Sequence, residues 1–379
     1  MEKFLKKIVI IHDQPLEIFP PVINFINYLS EQISGQCKIY VLTSETYLNL
    51  EKFENKNVFV ARIYKANLNN SGLRRIYNYI LFAITSLIYL LKWRPGSIFY
   101  YESHSALPVF LYFKLFSVHS KLFIHYHEYM TPCEYSRKGM RLVNYAHKKE
   151  KYLYEVATWI SHTNEKRMQL FLGDNGFIDK EKCRIMPNYP PKDWSSNTEI
   201  SNKVEQPLKI IYIGSFGSFE DLYIKEVLTW VKQLPAEVVL DIYSFNVTEE
   251  IRNFISALGA KNIGLKANVD YHNLPGVLKG YNIGLILYKA TSLNFKFNAP
   301  NKLFEYLATG LDVWFPEEML GCYPYIRGDA YPKVVKVDFK NLNDFDYQKA
   351  SNKTGMVEKK TPFFCETVFA SLVNKLAEC

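Results

Sequence analysis

The chain has no C-x-x-C pair and no Cys/His cluster at zinc spacing. Its six cysteines, Cys37, Cys133, Cys183, Cys322, Cys365 and Cys379, are widely scattered. That excludes a disulfide-stapled small fold and a structural zinc site, and it fits reduced thiols in a cytosolic protein. Fixed-period repeats and low-complexity tracts are absent, which excludes a solenoid or a propeller. The start, "MEKFLKKIVIIHD", runs from lysines straight into an apolar strand with no signal-peptide cleavage site. One segment, "LRRIYNYILFAITSLIYLLKWRPG", tests for a membrane span. It holds 16 uncharged residues between Arg75 and Lys92, interrupted by Asn78, Thr85 and Ser86. Roughly 20 are needed to cross a bilayer. The segment reads first as a buried helix. The second reading is a helix lying in the membrane interface, flanked by Arg74, Arg75, Lys92, Trp93 and Arg94, and a true span comes third.

What is present points to globular domains. With 379 residues the chain exceeds one ordinary core, so two domains are expected. Hydrophobic residues make up 48% and charged residues 22%, a globular rather than a disordered balance. The 28 tyrosines and 26 phenylalanines suit amphipathic surfaces as well as cores. Charge is uneven. Residues 1–190 hold 25 Lys+Arg against 16 Asp+Glu, leaving 21 against 22 for the remainder. All the excess positive charge is in the first half, which suits a polyanion or an anionic membrane surface, or simply a soluble basic face.

Short apolar runs alternate with helix-length stretches. Strands are expected at 6–12, 38–44, 58–64, 97–102, 121–129 and 158–164, each β-branched or aromatic and nearly continuously apolar, as buried parallel strands are. Helices are expected at 21–33, 73–92, 106–117, 137–156 and 165–172. The stretch "CRIMPNYPPKDWSSNTEISNKVEQP", with Pro187, Pro190, Pro191 and Pro207, reads as a linker. The rhythm restarts with strands at 208–216, 238–245, 262–267, 283–289 and 312–316, and helices at 219–234, 248–258, 272–280 and 301–309. This βαβα alternation implies two doubly wound parallel sheets, with ligands bound beyond the carboxyl ends of the strands.

The stretch "NAPNKLFEYLATG" (298–310) carries the sharpest chemistry. Leu303, Phe304, Leu307 and Ala308 share one helix face, and Lys302, Glu305, Tyr306 and Thr309 the other. Asn301 is a candidate N-cap and Gly310 a C′ glycine. A helix N-terminus with a lysine suits phosphate, and a carboxylate one turn on suits sugar hydroxyls. Taken alone, the pair also fits an i,i+3 surface salt bridge.

"APNKLFEYLATGLDVWF" resembles the donor-site element of family-4-like glycosyltransferases of the GT-B fold. Their pattern, Pro-x-Lys-Leu-x-Glu-Tyr-x-Ala-x-Gly before an apolar strand, is matched by Pro300, Lys302, Leu303, Glu305, Tyr306, Ala308 and Gly310. "FIHYHEYMTP" resembles the strand-end His-Glu segment, "CRIMPNYP" the turn opening the linker, and "IIYIGSF" the first donor-domain strand and glycine loop. The resemblance runs from about residue 120 to 316. It implies an α/β fold of two Rossmann-like doubly wound domains facing across a cleft. Residues 1–187 would form the acceptor-side domain, 188–207 a linker and 208–360 the nucleotide-sugar domain. The C-terminal helix at 361–379 can pack back on the first domain. It further implies that Glu305 holds the ribose, with the Asn301–Leu303 backbone and Lys302 near the diphosphate. Gly214, Ser215, Tyr288, Asn298 and Pro300 complete the donor set. His127 and Glu128 are the catalytic candidates, with His125 more a structural residue and Ser103 and His104 weaker candidates.

This sequence departs from the family in three places. Asn298 stands where many relatives carry a second glutamate. "GSFGSFED" offers Glu220 and Asp221 where an Arg and a Lys are common, leaving Lys302, Lys296, helix N-termini or residues of the N-terminal domain to meet phosphate. "HDQPLEIFPPV" replaces a glycine-rich acceptor loop. The resemblance implies a metal-independent hexosyltransferase, retaining by family, with no cofactor and no D-x-D metal motif. It would move sugar from a nucleoside-diphosphate sugar to a glycan or lipid-linked hydroxyl. A catalytically inactive GT-B binding or scaffold protein and a sugar-nucleotide epimerase are the alternatives. The expected place is the cytoplasm, at the inner face of the membrane, with an anionic membrane surface rather than nucleic acid as a further partner.

Overall fold

The computed structural model of the chain describes residues 6–67, 71–116, 119–195 and 207–377. It forms two compact units, Met1–Asn188 with Cys365–Cys379, and Tyr189–Phe364.

In the first unit seven parallel strands are β1 (Lys6–His12), β2 (Cys37–Glu45), β3 (Val58–Lys65), β4 (Ser97–Tyr101), β5 (Lys121–Tyr126), β6 (Trp159–His162) and β7 (Cys183–Ile185). They run in the order β3-β2-β1-β4-β5-β6-β7, and Ile8 pairs with Ile39 on one side and Ser97 on the other. The inner strands are buried on both faces, which is why "IVII" and "IFYY" are apolar without alternation. Strand order reverses between β1 and β4. The crevice beyond their carboxyl ends is therefore the natural ligand position in this sheet. β7 corrects the linker reading at its start: Cys183–Ile185 pairs in parallel with β6 before the prolines begin. Three residues are too few to show a strand period in sequence.

The C-terminal helix, Cys365–Ala377, belongs to the first unit. Phe369 packs edge-on against Phe25 at 5.2 Å between ring centroids, and Leu372 and Leu376 are buried. The Gly72–Trp93 helix corrects the buried-helix expectation by half. Tyr79, Phe82, Ala83, Ser86, Leu90 and Trp93 face inward, while Leu73, Ile80, Ile84 and Ile88 are exposed.

The second unit has β8 (Leu208–Ile213), β9 (Val238–Tyr243), β10 (Ile263–Lys266), β11 (Ile283–Leu285), β12 (Asp312–Pro316) and β14 (Val334–Val337) in one parallel sheet. Their order is β10-β9-β8-β11-β12-β14, with a separate pair of β13 (Ala330–Tyr331) and β15 (Val357–Glu358). Here the order reverses between β8 and β11. β14 is unforeseen by the sequence, because four residues after "YPK" show neither a long apolar run nor a clean alternation. Within the stretch read as a linker, Trp194 is buried in the core of this unit and contacts Tyr271 at 4.8 Å between rings. Residues 196–206 of that stretch lie outside the described residues.

Candidate functional site

In the second unit the helix Asn301–Ala308 starts beyond the carboxyl end of β11. Pro300 is its N-cap, with φ −72° and ψ 157°, so Asn301 is the first helical residue and not the cap. The proline ring already holds φ near the required value, and no side chain caps this end. Leu303 N–H donates to Pro300 O at 2.9 Å, and the Leu303 side chain is wholly buried. Helix geometry leaves the N–H groups of Asn301 and Lys302 without intrahelical acceptors.

Neither Lys302 nor Glu305 is on the surface; each is 8% exposed. This overturns the surface salt-bridge reading, and no direct ion pair joins the two among the described residues. Lys302 Nζ sits 4.4 Å from the centroid of the Tyr212 ring and 5.2 Å from that of Tyr288. It presses against Gly214, where an added Cβ would stand 2.7 Å from Nζ. Gly214 has φ +132°, so the turn after β8 needs glycine for its backbone as well as for the ammonium beside it. Burial lowers the Lys302 pKa to about 8, opposed by the charge of Glu305. Burial also raises Glu305 to about 7, with Lys302 and a hydrogen bond from Tyr271 pulling it back down. The pair is a desolvated cation and a desolvated acid one turn apart, each short of compensation.

The neighbouring donor candidates are placed as follows. Ser215 is exposed and its hydroxyl donates to Asn246 Oδ1 at 2.9 Å. Asn246 Oδ1 also accepts the Phe216 N–H and so pins the glycine loop. Tyr288 stacks on Phe295 with centroids 5.1 Å apart. Pro300 is buried, and Asn298 and Asn301 are half-buried. Asn298 is held by its backbone: its N–H donates to Phe295 O at 3.2 Å, and its carbonyl accepts from Cys322 Sγ at 3.5 Å. Lys296 is exposed beside Phe297.

The first unit gathers four histidines at its strand ends. His127, after β5, stacks on Tyr101 at 5.2 Å and meets His125 edge-on at 4.6 Å. Its Nδ1 pairs with Asn188 Oδ1 at 3.0 Å, while Nε2 is buried without a partner. Desolvation holds these imidazoles neutral. His12 falls to about 3, His127 to about 4 and His162 to about 3, with His125 also pushed well below its usual value. His125 is fully buried and pairs with Ser161 at 2.9 Å, a structural role. Glu128 parts from His127. It is exposed and lines a pocket of 250 Å³ with Tyr126, Tyr129, Tyr135, His162 and Asp174. Ser103 does not reach open space; its hydroxyl donates to buried Glu150 at 2.6 Å. His104, partly buried, is lowered by burial.

Two acids escaped the sequence reading. Glu150 is wholly buried, accepts from Tyr100, Tyr126, Tyr154 and Ser103, and pairs with His147. Its spacing with Val143, Ala146, Leu153 and Tyr154 puts it on the apolar stripe of its helix, a signal open to periodicity. Glu102, directly after β4, has φ 60° and ψ 154°, a region essentially reserved for glycine. Its carboxyl accepts the His127 N–H at 2.6 Å, and Arg167 donates to His127 O at 2.5 Å. Glu102 thereby positions the turn that carries His127. Burial, then the charge of Glu128, raises its pKa to about 8. A group raised in the fold lends stability below its unfolded pKa and loses it as pH rises through the folded value. Glu102→Gln, which keeps the accepting oxygen, should match wild type most closely near pH 4, where the carboxyl is protonated in both states. It should also flatten the decline that wild type shows between about pH 4.5 and 8, read by chemical denaturation at each pH.

No family model matches the chain, and no curated protein matches it in sequence. Solved structures do match its shape. The crystal structure of Anabaena Alr3699/HepE in complex with UDP-glucose aligns over 98% of this chain and 100% of that one, at TM-score 0.66 and 10% identity. The fold is GT-B. The lipopolysaccharide outer core galactosyltransferase WaaB aligns with this GT-B chain at TM-score 0.60 and 12% identity, over 98% of this chain and 94% of that one. The UDP-GlcNAc 2-epimerase from Neisseria meningitidis bound to UDP-GlcNAc aligns at TM-score 0.60 and 14% identity, over 98% and 100%. Both clusters of the GT-B chain stand where strand order reverses, Lys302 and Gly214 at β8/β11 and His12 and Glu102 at β1/β4. Among the described residues no group of three His, Cys, Asp or Glu side chains is placed to hold a metal ion.

Proposed function

We propose that the protein is a glycosyltransferase that takes its sugar from a nucleoside-diphosphate sugar bound by the second unit. The observation that carries this reading is the buried Lys302–Glu305 pair at a helix N-terminus, set against Gly214. The Lys302 ammonium and the Asn301 and Lys302 N–H groups supply positive charge for a diphosphate. Glu305 supplies an acceptor for a diol. The acceptor hydroxyl attacks the anomeric carbon, the anomeric C–O bond to phosphate breaks, and the nucleoside diphosphate leaves with the electron pair, its departing phosphate oxygen taking up the hydroxyl proton. Positive charge from the chain stabilises that leaving group without a metal. His127 is neutral, and its Nε2, buried without a partner among the described residues, is the acceptor this turn holds for a sugar hydroxyl that reaches it. The pocket beside Glu128 offers aromatic faces and hydroxyls to a glycan or lipid-linked acceptor. Retention of configuration, the hexosyl class and a place in the cytoplasm at the inner membrane face belong to this proposal through the resemblance.

The protonation states impose a pH window. Donor binding needs Glu305 as carboxylate and Lys302 as ammonium. Affinity should therefore rise with pH through about 7 and fall above about 8. A thermal-shift screen against UDP, GDP, ADP, CMP and their sugars, repeated at pH 6, 7.5 and 9, tests both points. A selective shift largest at the middle pH supports the donor site. No shift with any nucleotide at any pH overturns it. A second reading, sugar-nucleotide epimerisation, is favoured by the epimerase among the structures of this shape. Incubation with donor alone separates the two, because an epimerised nucleotide sugar would appear without any acceptor.

A further inference from the structure

The Gly72–Trp93 helix carries two apolar faces. One packs against β1, β3 and the Ala106–Leu115 helix, with Phe82 and Leu90 wholly buried. The other has no cover among the described residues. Leu73, Ile76, Tyr77, Ile80, Ile84 and Ile88 are exposed, from 43% for Ile80 to 81% for Leu73. At 100° per residue they fall within an arc of about 120° and along about 22 Å of the axis. Soluble surfaces scatter such residues singly, and a continuous stripe marks a docking face.

Charge selects what the stripe meets. Arg74 and Arg75 stand at one end, Lys92 and Arg94 at the other, and no acid lies between residues 71 and 96. The Arg74 guanidinium lies 5.1 Å from the centroid of the Tyr77 ring, an amphipathic pair suited to a headgroup region. A second copy would set cations against cations whichever way the two helices ran, since both ends are basic. An anionic bilayer meets both the apolar side chains and the flanking charges.

We propose that the exposed stripe of the Gly72–Trp93 helix docks the protein on an anionic lipid bilayer, with the helix lying in the interface. By length and composition this helix could cross a membrane, with 39% of its most apolar window buried. Crossing would strip Phe82 and Leu90 from the sheet, so the exposed half enters lipid while the buried half stays on the protein. This docking stands apart from the donor-site reading, and either can fail without the other.

Flotation of the full chain tests it, with vesicles of phosphatidylcholine alone and of phosphatidylcholine mixed with phosphatidylglycerol. Wild type should float with the anionic vesicles and not with the neutral ones, and should detach as salt rises from about 0.1 to about 0.5 M. Ile80→Glu/Ile84→Glu should lower binding at least roughly tenfold, because it removes buried apolar area and adds charge repelled by the lipid. These side chains are solvated, so circular dichroism and the melting temperature should match wild type. Equal binding to both vesicle types, or binding unchanged in the double variant, overturns the proposal. So does a concentration-dependent dimer in sedimentation that the double variant dissolves. Resistance to alkaline carbonate extraction would replace docking by a span and also overturn it.

Discussion

Glu305→Ala is expected to weaken binding of the preferred nucleoside-diphosphate sugar about 100-fold by calorimetry. A hydrogen bond to a charged group contributes about 1.5–3 kcal/mol, and a ribose offers two hydroxyls to one carboxylate. The variant separates binding from folding because of the protonation state in the free protein. Burial raises the Glu305 pKa to about 7. A raised folded pKa means stability present at low pH and lost as pH rises through that value. At pH 8 the ionised carboxylate is therefore a burden on the free protein. Removing it should leave the melting temperature at pH 8 level or higher, against the small cavity that alanine opens. Glu305→Gln keeps the volume and should lose affinity in the same direction with even less structural change. Unchanged donor affinity in both variants would show that Glu305 is not a ligand residue. A fall in affinity matched by a collapse of the melting temperature would assign it to the fold instead. Lys302 gives the complementary case. Its ammonium is partly desolvated between Tyr212 and Gly214, so an incoming diphosphate restores interactions that water supplied before folding.

Gly284→Ala should destabilise the second unit by about 3 kcal/mol or more, a severe overpacking cost. A Cβ at this position would stand 2.2 Å from Cδ2, 2.3 Å from Cγ and 2.5 Å from Cε2 of Tyr306. The ring has little room to yield. It is wholly buried, and its hydroxyl accepts the Ile213 N–H at 3.2 Å. The backbone is equally constrained, because Gly284 pairs with Val313 on one side and Ile211 on the other. Urea unfolding followed by the fluorescence of Trp230 and Trp314, both buried in this unit, should show the midpoint fall. Pairing Gly284→Ala with Tyr306→Leu should recover part of the loss, since it takes away the clashing ring. Equal stability of Gly284→Ala and wild type would mean that the strand and ring are not as closely apposed as described. The change should also reduce donor affinity, because Tyr306 supports the end of β8 from which Gly214 turns.

Much of the fold was legible from local pattern. The runs "IVII", "IFYY" and "VVLDIY" are apolar over strand length and end in polar or glycine residues, so each announces a buried strand and its carboxyl end. The helix "NKLFEYLA" was legible as a helix and as a ligand-site candidate, and Gly310, at φ +85°, ends it as expected. The cap was misread because Pro300 and Asn301 each suit the position by type, and backbone angles choose between them. β7 and β14 were missed because three and four residues carry no period. Glu150 could have been found, since an acid on an apolar stripe needs partners. Glu102 gave no such signal: nothing local distinguishes a strand-end glutamate facing water from one that accepts two backbone N–H groups.

By itself the sequence determined the alternation of strand and helix, the two sheets, the basic first half and the residues at the carboxyl ends of the strands. These are local quantities, set by side-chain type and by periods of 2 and 3.6. Only the tertiary structure decided which of those residues meet. Lys302 is buried because Gly214, 88 residues earlier, lacks a Cβ and leaves space for the ammonium. His127 is oriented because Glu102 and Arg167 hold its backbone from two other elements. The Gly72–Trp93 helix is half-buried because the sheet and one neighbouring helix cover one face and leave the other bare. Desolvation and partner placement depend on chain segments far apart in sequence, so charge state and site geometry emerge only once the chain has folded.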